Sequence, residues 1–208
     1  LGGNPIERKR RHHSHKGNMR RLIGITLPEY DDMEAERLRI SSLIECGKIE
    51  YFHIRKPNFD FETMSRFLGG FSREIRERLC LNDCCELAEE FAIGGVHLNS
   101  RNNYSAPVGF CGRISCSCHS IDEVQKYKSL CDYVFLSPVF DSISKQGYKA
   151  ALNEDELKNA AAKGIIDENV FALSGVEPSK FGKLKEIGFC SAAMTGCLWD
   201  ESRELYYK

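Results

Sequence analysis

The sequence predicts an α/β protein, a single (β/α)8 TIM barrel with a disordered basic N-terminal arm. Short apolar runs alternate with segments of helical periodicity, which is typical of right-handed βαβ units and a parallel sheet. About eight such repeats fit into some 190 residues, the size of a compact barrel. An open doubly wound sheet is the alternative, but no G-x-G-x-x-G follows the first strand. The barrel is therefore favoured.

The arm comprises residues 1–18, which carry the basic cluster ERKRRHHSHK and no apolar period. Such a segment cannot bury enough apolar surface to fold. We expect a disordered arm, or an artefact of the assigned start or of the cloned sequence, with Met19 as the true start. The barrel domain is then residues 19–208.

Eight short apolar runs are expected to be the strands, because most of them stop at glycine, proline or polar residues. They are 22–26, 51–54, 79–81, 96–98, 112–116, 133–136, 170–173 and 192–195. The segments between them have helical periodicity or a start signal such as the capping box Ser120-x-x-Glu123. The expected helices are 34–46, 61–71, 86–92, 120–130, 153–163, one through 184–187, and 201–207. Residues 99–107 have little sign of a helix.

Composition excludes several classes of protein. With 29 basic and 30 acidic residues the net charge is -1, which gives no reason to expect a nucleic acid partner. No apolar run approaches the ~20 residues that span a bilayer. Ten cysteines without a signal peptide favour a reducing compartment. We therefore expect a soluble, cytoplasmic protein.

The tightest group of potential metal ligands is Cys111, Cys116, Cys118 and His119. It has no second pair at the spacing of a zinc site. Cysteines beside apolar runs, such as Cys80, are expected to behave as small hydrophobic residues.

The loop after the sixth strand contains Ser142, Ser144 and Lys145. Hydroxyls, backbone N–H groups and an ammonium just past a buried strand suit a phosphorylated ligand. An ordinary polar loop with a solvated lysine is the alternative.

Active sites of TIM barrels gather at the carboxyl ends of the strands. In this sequence those ends are almost all polar or glycine, and they include arginine, lysine, aspartate and histidine. They are His53, Arg55, Asn82, Asp83, His97, Asn99, Ser117, His119, Ser142 to Lys145, Gly175, Thr195 and Gly196. This combination favours a ligand site over chance placement of polar loop residues.

Six of these strand-end motifs carry a resemblance to a known family. They are HIRKP, LND, GGVHLNSRN, SCHS, SPVFDSISK and ALSGV, starting at residues 53, 81, 94, 117, 137 and 172. In order and spacing they resemble thiamine phosphate synthase, whose close relative with the same barrel is the thiazole tautomerase. The resemblance covers residues 20–199, nearly all of the expected domain.

The resemblance implies a transferase of thiamine biosynthesis, in which hydroxymethylpyrimidine diphosphate loses pyrophosphate and a thiazole phosphate captures the pyrimidine cation. The leaving group then requires charge neutralisation. Carried over by position, Arg55 and Lys145 would bind the pyrophosphate as catalytic residues. Asn82 and Asp83 would hold it through Mg²⁺, with Asp83 as the metal ligand.

The same resemblance implies a second phosphate site. Ser142 and Ser144 would lie between the phosphates of the two substrates. Backbone N–H groups at Gly175, Thr195 and Gly196 would cradle the thiazole phosphate. The expected partners are thus these two small molecules, and the sequence leaves open whether the chain forms a homo-oligomer.

Ser117 and His53 would border the pyrimidine. The sequence also departs from the family pattern. Pro57 stands at the usual lysine position of the second strand, where Lys56 is the nearest replacement. The second metal carboxylate is replaced by Asn102.

Two alternatives remain open at this point. A thiazole tautomerase would move a proton without Mg²⁺, using His119, or His53, as acid and base. A non-catalytic barrel would only bind a phosphorylated ligand or a protein partner. His97, and also His119, could instead be hydrogen-bonded histidines that support the site.

Overall fold

A computed structural model of the chain describes residues 19–140 and 152–200. In these ranges eight parallel strands pair in sequence order, and β8 pairs with β1, so that the sheet closes into a barrel. The strands are β1 Arg21–Ile25, β2 Tyr51–Ile54, β3 Leu79–Leu81, β4 Gly95–Leu98, β5 Arg113–Cys118, β6 Tyr133–Leu136, β7 Val170–Ala172 and β8 Ser191–Met194. The predicted (β/α)8 barrel is confirmed.

Helices connect these strands on the outside of the barrel. They are α1 Met33–Glu45, α2 Phe61–Gly69, α3 Arg73–Arg76, α4 Ile121–Tyr127, α5 Glu154–Ala162 and α6 Phe181–Ile187. Short 3₁₀ turns cover Cys85–Ala88, Ser100–Asn102, Pro178–Lys180 and Gly196–Leu198. No helix in the described part of the chain is long and apolar enough to cross a membrane.

Side-chain caps fix several helix starts. Asn153 accepts the N–H of Glu156 at 2.7 Å, and the Glu156 carboxylate accepts the N–H of Asn153 in return. Before α4, Ser120 accepts the N–H of Glu123, as predicted. The Glu123 carboxylate instead accepts the N–H of His119, one residue earlier than a capping box requires.

Three connections differ from the prediction, and the one between β2 and β3 contains the additional short helix α3. The expected helix 86–92 is only the 3₁₀ turn Cys85–Ala88, because Cys84 and Ala92 have left-handed φ angles of 51° that end regular structure on both sides. A 3₁₀ turn also lies within 99–107. The predicted arm 1–18 and closing helix 201–207 lie outside the described residues, so both stay predictions.

Alternation along the strands separates two hydrophobic cores. Val134 and Leu136 pack outward against the helices, whereas Tyr133 and Phe135 belong to a second cluster with Phe171 inside the barrel. Each of these five side chains is at most 1% exposed. The interior is therefore filled by side chains, and the barrel itself offers space for a ligand at its mouth.

None of the ten cysteines is in a disulfide bond, and several are buried. Burial raises the pKa of Cys80 to about 12 and that of Cys85 to about 11. These two thiols therefore behave as small hydrophobic groups.

Candidate active site

A chain of hydrogen-bonded polar side chains crosses the barrel interior. Nε2 of His53 lies 2.7 Å from the hydroxyl of Tyr133, and Nδ1 of His53 lies 2.9 Å from Oδ1 of Asn82. Because an amide oxygen can only accept, Nδ1 of His53 carries the proton and Nε2 accepts from Tyr133. Burial lowers the pKa of His53 to about 3, so the ring is neutral at physiological pH.

This placement does not fit the expected contact between His53 and the pyrimidine. The side chain of His53 is completely buried, and Asn82 is 5% exposed. The imidazole of His53 donates to the amide oxygen of Asn82. It therefore orients the Asn82 side chain and does not contact a ligand at the mouth. Tyr133, which completes the chain, was missed by the sequence reasoning, although its alternation with Phe135 along β6 was a usable signal.

A second histidine holds Ser117. The two ring nitrogens of His97 lie 2.9 Å from the hydroxyls of Ser115 and Ser117. His97 is 2% exposed, and burial lowers its pKa well below the ordinary value. His97 is thus the supporting histidine that the sequence suggested, and the half-buried Ser117 reaches the mouth beside it.

Arg55 follows the inward-facing residues Tyr51 and His53 along β2. Its backbone is fixed by Thr26, whose hydroxyl accepts the N–H of Arg55 at 2.8 Å and donates to its carbonyl at 3.1 Å. The half-buried guanidinium has no hydrogen bond or ion pair with the residues that the structure describes. It is an available cation at the rim of the barrel.

Lys56 does not replace the charge that is missing at Pro57. Its ammonium is fully buried and lies 2.7 Å from Oε1 of Glu36, on the outer side of the barrel. The rings of Phe59 and Phe67 pack around it, with centroids 5.5 and 5.7 Å away. This lysine cannot reach a ligand at the mouth.

Asp83 lies beside Arg55 at the end of β3. One carboxylate oxygen accepts the backbone N–H of Lys56 at 2.9 Å, and the other lies 2.6 Å from Nε of Arg101. The carboxylate is therefore already paired within the chain.

Asn102, at the expected position of the second metal carboxylate, is committed to its own turn. Its amide oxygen accepts the N–H of Asn99, and its amide nitrogen donates to the carbonyl of His97 at 2.8 Å. In the described part of the chain no group of three or more His, Cys, Asp or Glu side chains is arranged to hold a metal. Among the residues that the structure describes at the mouth, Asp83 is the one that could contribute a carboxylate to Mg²⁺, with the remaining ligands coming from water and a substrate.

The ends of β7 and β8 form the opposite side of the mouth. Ser174 and Gly175 have positive φ angles of 81° and 61°, and Nζ of Lys180 donates to the carbonyl of Gly175 at 2.7 Å. Thr195 and Gly196 begin a 3₁₀ turn, and a Cβ on Gly196 would meet no atom within 4 Å. Ser142, Ser144 and Lys145 lie outside the described residues.

His119 is exposed and lies away from the polar chain of the interior. Its Nδ1 lies 3.1 Å from the carbonyl of Ser137. It lines an open cleft between α4 and α5 together with Asp122, Glu156 and Lys163. The structure thus groups Arg55 with Asn82 and Asp83, and it places His119 in a different surrounding.

A closed (β/α)8 barrel with an arginine, a carboxylate and polar groups at the carboxyl ends of its strands has the architecture of a TIM-barrel enzyme. A family model for thiamine monophosphate synthase matches residues 22–198. The chain therefore belongs to the thiamine monophosphate synthase family, and the resemblance seen in the six motifs is confirmed.

Solved structures agree with this assignment. The crystal structure of thiamine phosphate pyrophosphorylase from Bacteroides thetaiotaomicron is 32% identical, with a TM-score of 0.75 over 90% of this chain and 89% of that chain. A mutant tryptophan synthase α-subunit from Pyrococcus furiosus is 14% identical, with a TM-score of 0.55 over 90% and 93% of the two chains, and shows the fold alone. Among curated proteins no match was found.

Proposed function

We propose that this chain is a thiamine phosphate synthase, a transferase that joins hydroxymethylpyrimidine diphosphate to thiazole phosphate and releases pyrophosphate. Family membership and the similar pyrophosphorylase support the proposal. The observation that carries it is the guanidinium of Arg55 at the barrel mouth, which has no hydrogen bond or ion pair with any described residue. The Asp83 carboxylate accepts the backbone N–H of Lys56, the residue after Arg55, which places this carboxylate at the same strand end as the arginine.

The reaction breaks the bond between the pyrimidine methylene carbon and the diphosphate oxygen, and the electron pair leaves with the diphosphate. The lone pair of the thiazole nitrogen then forms the new C–N bond. Arg55 would donate hydrogen bonds to the leaving diphosphate and stabilise its developing charge. Mg²⁺, held by Asp83 and diphosphate oxygens, would supply further charge neutralisation.

Other residues would position the substrates. Asn82, oriented by His53, would present its amide N–H groups to the diphosphate or the pyrimidine. The hydroxyl of Ser117, held by His97, would border the pyrimidine. Since the mouth is closed from below by packed aromatic side chains, both substrates must enter from the carboxyl ends of the strands.

The thiazole phosphate would bind on the opposite side of the mouth. Backbone N–H groups at Gly175, Thr195 and Gly196 suit a phosphate, and the open space above Gly196 lets a ligand approach the backbone. Ser142, Ser144 and Lys145 are proposed to complete the site from the loop after β6.

Thiazole tautomerase is the second candidate, and the position of Asn102 favours it. With one carboxylate at the described part of the mouth, and that one paired, metal binding would be weaker than with two carboxylates. The exposed His119 would then act as the general acid and base that transfers the proton. His53 is not available for it, because it is completely buried and its pKa is about 3.

The proposal is tested by supplying hydroxymethylpyrimidine diphosphate, thiazole phosphate and Mg²⁺ to the purified protein and measuring thiamine phosphate and pyrophosphate. We expect turnover that falls by about 10²-fold or more in Arg55→Gln, the loss typical of removing a group that stabilises transition-state charge. Arg73→Gln is the matched control, because this arginine is exposed on α3 and, among the described residues, pairs with Glu77.

Equal rates in Arg55→Gln and Arg73→Gln would remove Arg55 from the mechanism. Isomerisation of the thiazole carboxylate phosphate without any thiamine phosphate would identify the tautomerase. Binding of the substrates without either reaction would identify a non-catalytic barrel.

A further inference from the structure

The Asp83 carboxylate is neutralised by a cation from its own chain. Nε of Arg101 lies 2.6 Å from one oxygen, and the other oxygen accepts the backbone N–H of Lys56. The Asp83 side chain is only 8% exposed, so few positions around these oxygens remain open to a metal ion. A divalent cation at Asp83 would lie within a few ångströms of the guanidinium and would be repelled by it.

The backbone of Arg101 is held in place, whereas its side chain is partly exposed. The turn Ser100–Asn102 is held by a reciprocal cap, in which Asn99 accepts the N–H of Arg101 at 2.8 Å and Asn102 accepts the N–H of Asn99 at 2.9 Å. The side chain of Arg101 is 42% exposed. Nε–H is the one of its five guanidinium N–H donors that bonds to Asp83, and the side chain makes no other hydrogen bond to a described residue, so its remaining donors are available to a ligand.

The mouth also needs another cation for a diphosphate. Pro57 replaces the lysine of the second strand, and Lys56 is buried against Glu36. Among the described residues, Arg55 and Arg101 are the arginines next to Asp83 at the ends of β2 and β4. A guanidinium can bind two phosphate oxygens at once. A diphosphate is therefore a better partner for Arg101 than the single carboxylate oxygen that it contacts here.

From these contacts we propose that Arg101 is a diphosphate-binding residue that exchanges partners. In the free protein its guanidinium is paired with the Asp83 carboxylate. When the diphosphate binds, Arg101 moves to the phosphate oxygens, and Mg²⁺ takes its place on Asp83. The metal therefore binds only together with the diphosphate. This inference rests on the proposed function, because it concerns the same diphosphate.

Calorimetric titrations of the whole chain test the exchange without requiring turnover. Mg²⁺ alone, and inorganic pyrophosphate with and without Mg²⁺, are titrated into wild type, Arg101→Gln and Arg73→Gln. We expect wild type and Arg73→Gln to bind Mg²⁺ well only with pyrophosphate. Arg101→Gln should bind Mg²⁺ alone at least about tenfold more tightly than wild type, and pyrophosphate about tenfold more weakly.

A further variant assigns the metal site. Asp83→Asn in the Arg101→Gln protein should abolish the gained Mg²⁺ binding. Equal Mg²⁺ affinities in wild type and Arg101→Gln, or unchanged pyrophosphate affinity in Arg101→Gln, would overturn the exchange. The proposed function would survive either result, whereas a wild-type protein that binds no pyrophosphate with or without Mg²⁺ would overturn both.

Discussion

Two ion pairs of nearly equal length lie at the carboxyl ends of neighbouring strands, and they differ in exposure. Lys56 and Glu36 are 2.7 Å apart, and both side chains are 0% exposed. Arg101 and Asp83 are 2.6 Å apart, and their side chains are 42% and 8% exposed. The comparison teaches that burial, and not distance, distinguishes the two pairs, and it is the exposed cation that we propose to change partners.

The same division extends to the uncharged groups. Tyr133, His53 and Asn82 form a buried chain of hydrogen bonds. Both ring nitrogens of His53 are used in it, so the imidazole can only orient its two partners. Arg55 faces the mouth without a partner among the described residues. Fixed groups therefore lie beneath the site, and exchangeable ones line it.

Breaking the buried pair should have the largest effect on stability. Lys56→Met leaves the Glu36 carboxylate without its cation, and Oε2 of Glu36 already lacks a hydrogen-bond partner among the described residues. Burial raises the pKa of Glu36, which shows how costly its charge is there. We expect a loss of about 3–5 kcal/mol in the free energy of unfolding, measured by urea denaturation.

The matched control removes both charges. Glu36→Leu combined with Lys56→Met should recover most of that loss, because apolar side chains of similar volume can replace a buried pair. A single variant that loses less than about 1 kcal/mol would show that water reaches this pair, and the comparison would fail.

The buried histidine gives the next largest effect, as a dependence of stability on pH. The folded-state pKa of His53 is about 3, below its ordinary value of 6.5, because burial disfavours the charged ring. Its contribution is complete above pH 6.5 and is lost as the pH falls, since the unfolded chain then binds the proton. The expected slope is about 1.4 kcal/mol per pH unit for this residue.

His53→Gln isolates that slope. An amide can still meet the oxygen of Asn82 and the hydroxyl of Tyr133, so the variant should fold. Denaturation measured between pH 4.5 and 7.5 should show a weaker pH dependence in the variant by about the stated slope. Identical slopes in the two proteins would mean that His53 is solvated in the folded state.

The sequence predicted the barrel well because its strands are short apolar runs bounded by turn residues. The ranges of β2, β3 and β6 agree with the prediction residue for residue. The prediction of a helix after β3 was wrong. The left-handed backbone conformations of Cys84 and Ala92 depend on local packing, which sequence periodicity does not record.

The site was predictable as a set of strand-end positions and not as contacts. Asp83 pairs with Arg101 from the next strand end, and Lys56 turns outward to Glu36, although both were candidates for the mouth. Such choices depend on the direction of a side chain relative to the barrel, which a one-residue change in position reverses. The role of His53 changed for a related reason, since its inward direction was predictable but its depth below the mouth was not.

The exposed pair should give the smallest effect on stability. Arg101→Gln removes a half-exposed guanidinium, and water can then reach Asp83, whose second oxygen keeps the N–H of Lys56. The expected loss is below about 1 kcal/mol and should shrink further at high salt, as for other exposed pairs. Urea denaturation at low and high salt, next to Lys56→Met, measures the contrast. A loss of several kcal/mol that salt leaves unchanged would make the Asp83–Arg101 pair a structural one, and Arg101 would then not be free to move to a diphosphate.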